Sequence, residues 1–122
     1  MNIFVNHGYL MMGQAAEKTQ KFELAIQAYS EVVDSAESPF DYKNLAYLGR
    51  GNARFEMDMF REALEDYRTV ENKYIESYNV DPAEVITKIG LTYKMLSNES
   101  KADAYFVLLL DDPHQTQLGI HA

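Results

Sequence analysis

Cysteine is missing from all 122 residues. Its absence excludes disulfides, thiolate chemistry and cysteine-ligated zinc, and it fits a reducing compartment. Basic residues are scarce: 11 Lys and Arg stand against 19 Asp and Glu, a net charge of −8. An acidic surface repels phosphate backbones, so nucleic acid is not an expected partner. Long apolar runs are missing too. The longest, Ala104–Leu110, falls well short of the roughly 20 residues a membrane span needs. The N-terminal stretch MNIFVNHGYLMMGQAA has no Lys or Arg ahead of its apolar part, and Asn6 and His7 interrupt that part, which argues against a secretory leader. The expectation is a soluble, cytoplasmic protein without membrane contact.

Signatures of catalysis are also lacking. The three histidines, His7, His114 and His121, lie near the ends and none is four residues from another, so no metal site is expected. No glycine-rich phosphate loop and no nucleophile elbow occurs. Glu62, Glu65 and Asp66 read as solubilising charges on a solvated face rather than an acid–base pair. The six methionines read as gap-fillers of a core, with Met11 as the exception. Neither an enzyme nor a cofactor is expected.

What is present is a repeat. With 47% hydrophobic residues the chain can build a core, and its length suits a single domain over 1–122. Three segments align: Gly8–Val33, Ala46–Val70 and Val85–Leu110. Each has a glycine, an alanine twelve positions on and an aromatic four further: Gly13, Ala25, Tyr29; Gly51, Ala63, Tyr67; Gly90, Ala102, Phe106. This spacing predicts helical hairpins, with a small residue on each first helix where the second helix crosses closely. The alanine supplies the matching small surface, and the aromatic fills the space beside it. Polar turns separate the helices, at KTQK, MDM and LSNES, with Ser97 and Asn98 as turn or cap residues. In VDPAE, Asp81 is a cap and Pro82 the first helical residue.

The pattern resembles the tetratricopeptide repeat family, over nearly the whole chain. It reads Tyr9-x2-Met12-Gly13, Tyr47-x2-Arg50-Gly51 and Ile86-x2-Ile89-Gly90-x2-Tyr93. The resemblance implies an all-α fold of hairpins stacked into a right-handed superhelix, an α-solenoid, with repeats near 6–39, 44–78 and 83–113 and a short tail at 114–122. There are departures. The alanines lie 38 and 39 residues apart, against a family period of about 34. Longer second helices, for example through Glu71–Tyr78, are the expected cause. Ala16 and Arg54 stand where the family has a tyrosine.

By resemblance, first helices line a concave groove that binds an extended peptide or a helix of a partner protein. Position assigns Leu10, Met11 and Gln14 to that groove in the first unit, Leu48, Asn52 and Phe55 in the second, and Lys88, Leu91 and Lys94 in the third. Lys18, Arg50, Arg54, Lys88 and Lys94 on first helices predict a groove less acidic than the outside, suited to a segment mixing apolar anchors with acidic residues. A subtype that clamps a C-terminal carboxylate is not expected, since only Asn52 and Lys88 are of the required type. The final helix is apolar all round. Its Tyr105, Val107, Leu108 and Leu110 predict cover by another chain, giving a homodimer, or by the tail through Leu118 and Ile120. The functional expectation is a protein-binding adaptor. The rivals are a dedicated chaperone for an assembly or secretion subunit, and a scaffold that self-associates through its last helix.

Overall fold

The computed structural model describes residues 2–111, which form six α-helices and a terminal 3-10 turn. In chain order the helices are α1 (Ile3–Lys18), α2 (Phe22–Asp34), α3 (Phe40–Glu56), α4 (Phe60–Lys73), α5 (Pro82–Met95) and α6 (Glu99–Leu108). Consecutive helices pack on one another and α1 also touches α3, so the chain is an all-helical stack of three hairpins. The tail residues Leu118 and Ile120 lie outside the described residues.

Local chemistry sets the helix starts. The Asn2 side chain accepts from the Val5 N–H at 3.0 Å, Asp81 from the Ala83 N–H at 3.0 Å, and Asn98 from the Lys101 N–H at 3.2 Å. Pro82 opens α5, where its missing N–H costs nothing. The three hairpin turns share one geometry. Gln20, Asp58 and Ser97 take left-handed φ values of 62°, 60° and 62°. The following N–H groups of Lys21, Met59 and Asn98 donate back to the carbonyls of Ala16, Arg54 and Tyr93 at 2.8–2.9 Å. This is a helix C-terminal motif that usually recruits glycine, because a left-handed turn strains a side chain.

The links between hairpins are less regular. The second helices do not lengthen as the spacing of the alanines predicts: α4 ends at Lys73 and Tyr74 caps it. The added residues go instead into the 17-residue first helix α3 and into the turns that follow α4. Val80, in those turns, is buried against the core. Asn79 there accepts from the buried amide of Asn44 at 2.7 Å. A helix through Tyr78 would forfeit both contacts.

The core has two parts. Leu10, Ala16, Ala25, Tyr29, Val32, Val33, Ala46 and Ala53 fill the space among α1, α2 and α3. Ala63, Tyr67, Val70, Val85, Ile89, Tyr93 and Ala102 fill that among α4, α5 and α6. The repeated glycines each face an aromatic ring. A Cβ on Gly13 would stand 2.6 Å from Tyr29, one on Gly51 2.8 Å from Tyr67, and one on Gly90 2.5 Å from Phe106. The glycine therefore seats the ring directly, and the alanine one turn earlier lines the crossing. Gly49 adds a second seat: its Cβ would lie 2.4 Å from Cζ of Tyr29.

Candidate functional site

A polar chain joins the first two hairpins. The Tyr29 hydroxyl donates to Glu17 at 2.7 Å, and the Tyr67 hydroxyl donates to Asn52 at 2.7 Å. The Asn52 amide reaches the other Glu17 oxygen at 3.5 Å. Burial, reinforced by Glu17, pushes the Tyr29 phenol far above its ordinary range, and burial followed by the field of Glu17 and Asp66 does the same for Tyr67. Both hydroxyls therefore remain donors.

A second polar cluster lies between α3 and α4. Asp66 is buried and grips Arg50 through two bonds of 3.0 and 2.8 Å, and Arg54 through one of 2.8 Å. Arg50 also donates to Ser30 of α2 at 3.1 Å. Burial opposes the Arg50 charge, but Asp66 outweighs it and raises the guanidinium pKa. Two corrections follow. Asp66 is not part of a solvated face, although Glu65 is exposed. Arg50 and Arg54 do not supply charge to a groove, because a buried carboxylate occupies them. An i,i+4 spacing places Arg50 and Arg54 on one side of α3, but nothing local says that an acid waits opposite.

Beside the tyrosine chain lies a recess of about 310 Å³ lined by Glu17, Lys18, Gln20, Phe22, Asn52, Glu56 and Lys88. It draws on all three hairpins. Gln14 lines an adjoining hollow with Glu17 and Lys18. A larger depression of about 530 Å³ sits at the turn end, among Gln20, Lys21, Phe22, Glu23, Leu24, Gln27 and Met57. It spans two hairpins only and holds no comparable polar network.

The residues assigned to the groove by position scatter. Lys88 and Asn52 meet in the recess. Asn52, however, spends its amide on Tyr67 and Glu17, so it is a structural member of the wall. Leu10 is 4% exposed and belongs to the first core, so it offers a ligand no surface. Leu48 and Phe55 are half-buried against the second core, and the Phe55 ring packs edge-on to Phe60 at 5.1 Å. Met11, Leu91 and Lys94 are exposed. Sequence reasoning passed over Glu17 and Glu56 as recess residues. Their spacing held the signal: Glu17 follows Gln14 by one turn and Glu56 follows Asn52 by one turn. With these acids present, the recess carries both signs of charge rather than an excess of base.

Of the residues expected to self-associate, Val107, Leu108 and Leu110 are exposed. Tyr105 is not free. Its hydroxyl donates to Glu71 at 3.0 Å and its ring lies 5.7 Å from that of Tyr93. Among the described residues no three His, Asp or Glu side chains gather as a metal site, and no helix is long and apolar enough to cross a membrane. His114 and His121 lie outside the described residues.

Comparison with curated proteins and with solved structures gave no match. Residues 7–39, which span most of α1, all of α2 and the link to α3, match the tetratricopeptide repeat family model. A repeat of this family is in general a protein–protein interaction module. Three consecutive helical hairpins, the first of them matched by that model, are consistent with a tetratricopeptide-repeat-containing protein.

Proposed function

We propose that the protein is an adaptor that binds a segment of a partner protein along its concave side. The observation that carries this reading is the recess built from α1, α2, α3 and α5, with Lys88 and Glu56 both in its lining. Glu17 and Asn52 of its lining are held by hydrogen bonds to Tyr29, Tyr67 and each other. Leu91, exposed one turn after Lys88, offers an apolar contact beside the charge. A segment that sets an apolar side chain on Leu91 and charges of opposite sign on Lys88 and Glu56 matches these groups. Binding, and not catalysis, is the activity such a surface supports.

The test is affinity capture from native extract, followed by mass spectrometry, with the wild type and a Lys88→Glu, Leu91→Asp variant. Neither residue holds the fold, so the melting temperature should move little while specific partners are lost. An identical partner set would overturn the concave-side reading. A single abundant partner that is insoluble alone would favour a dedicated chaperone.

A further inference from the structure

Among the described residues, the outer faces of the two end helices carry an apolar stripe with nothing packed on it, whereas the equivalent faces inside the stack are packed. We propose that the chain associates head to tail, with α6 of one copy packing on α1 of the next as α2 packs on α3. The contact uses different faces from the concave recess, so a failed groove test would leave it standing.

The acceptor face is read by placing Gly13 over Gly51. Tyr42, Ala46, Gly49 and Ala53 of α3, which form the first core with α2 or seat its Tyr29, then fall over Phe4, Gly8, Met11 and Ala15 of α1. On α3 these positions are buried or half-buried; on α1 all four are exposed, Phe4 at 83% and Met11 at 51%. None carries a charge. Gly8 is the telling residue. Gly13, Gly49, Gly51 and Gly90 each seat an aromatic ring, but a Cβ on Gly8 would meet nothing within 4 Å. Glycine inside a helix is less favourable than alanine, and nothing among the described residues requires this one. A helix crossing from outside would.

The donor face is read by placing Ala102 over Ala25. Tyr29, Ser30 and Val33 of α2 then fall over Phe106, Val107 and Leu110. Val107 and Leu110 are 55% and 63% exposed, and Phe106 is only half-buried. Asp103 stands over Ile26 and Glu99 over Phe22, two charges at positions that are apolar in α2. The two faces also change polarity together. Inside the stack Arg50 donates to Ser30; at the ends their counterparts are Met12 and Val107, an apolar pair. Inside, Tyr29 lies on Gly49, where a Cβ would stand 2.4 Å from the ring; at the ends Met11 holds that place, so α6 would cross α1 at a wider spacing than α2 crosses α3, with Phe106 against the Met11 sulfur. Matching on both sides in one register is the reason to assign the occupant to a second copy rather than a foreign helix.

Such a contact joins unlike faces, so it does not close at two copies and grows with concentration. Sedimentation velocity on the full chain, from low to high micromolar, tests it with Gly8→Glu on the acceptor and Val107→Glu on the donor. Both positions are exposed, and thermal melts would verify folding; Met11→Glu and Leu110→Glu replace either variant that fails. Wild type should form dimers and larger species. Each variant alone should be monomeric. An equimolar mixture should give a one-to-one dimer that grows no further, because each variant supplies the face the other lacks. A monomeric wild type overturns the proposal, as does a monomeric mixture. Dimers of Gly8→Glu alone would mean α6 pairs with α6, and dimers of Val107→Glu alone that α1 pairs with α1; either result overturns it too.

Discussion

Tyr29 and Phe106 occupy the same position of the first and third hairpins, yet their surroundings differ. Tyr29 is held between Gly13 and Gly49, so it closes its own hairpin and the junction with the next, and its hydroxyl is anchored on Glu17. Among the described residues Phe106 meets one glycine, Gly90, packs on the second core, carries no hydroxyl and is only half-buried. Tyr67 is intermediate. It has Gly51 on one side and a hydrogen bond to Asn52, but Lys88 stands where a second glycine would. One motif thus serves as a two-sided seal inside the stack and a one-sided seal at its end. A repeat closes fully only when its neighbour supplies the second surface.

The largest expected effect comes from Asp66, whose counterparts in the other hairpins are Ala28 and Tyr105. Asp66→Ala leaves two guanidinium groups without their buried partner and should cost about 3–5 kcal/mol in urea denaturation. A loss under about 1 kcal/mol, the scale of an exposed pair, would mean that water screens the cluster.

The two-sided seal can be broken next. Gly49→Ala forces a methyl into a buried ring that has Gly13 behind it, and should destabilise by about 2–3 kcal/mol. Gly90→Ala meets a ring free to swing outward and should cost about 1 kcal/mol or less. Equal losses in chemical denaturation would erase the distinction between interior and end.

Alkaline titration probes the same rings. Burial, then Glu71, pushes Tyr105 up to about 12, and Tyr29 and Tyr67 lie higher still. The unfolded chain releases these protons near 10.0, so above that pH it binds fewer protons than the folded chain and stability falls. Each phenol contributes a slope of about −1.4 kcal/mol per pH unit between its two pKa values. The contribution is fully present below pH 10 and is lost as pH rises through the folded values. Tyr67→Phe should flatten the decline measured by denaturation at several pH values; an unchanged slope would remove Tyr67 from the account.

The smallest effect concerns the turns, which are alike in all three hairpins. Ser97→Gly relieves a left-handed side chain and should stabilise by about 1 kcal/mol or less, seen as a small rise in Tm. A fall in Tm would show that the Ser97 side chain contributes something the backbone geometry does not reveal.

Much of the architecture was legible because it is local and repeated. Glycine, alanine and aromatic at constant spacing mark three crossings, and Asp81, Pro82 and Asn98 mark helix starts. The site was less legible. Leu10 and Lys88 both read as groove residues, but one is buried in a core and the other lines the recess. A helical period assigns a side of a helix without saying which neighbour covers it. Arg50 and Arg54 misled for the same reason, since their partner Asp66 is on another helix. Asn52 lines the recess and is also bonded to Tyr67, a contact the sequence does not show because it depends on how closely α4 approaches α3.

By itself, then, the sequence determined the helices, their turns and the places where helices must nearly touch, since those follow from propensity, capping chemistry and side-chain size along a short stretch of chain. Only the tertiary structure decided that Asp66 would be buried with two arginines, that Gly49 would complete the seat of Tyr29, and that Gly8 would be left facing outward. Each of these depends on which surface arrives opposite, and that is set by the packing of whole helices rather than by any one of them.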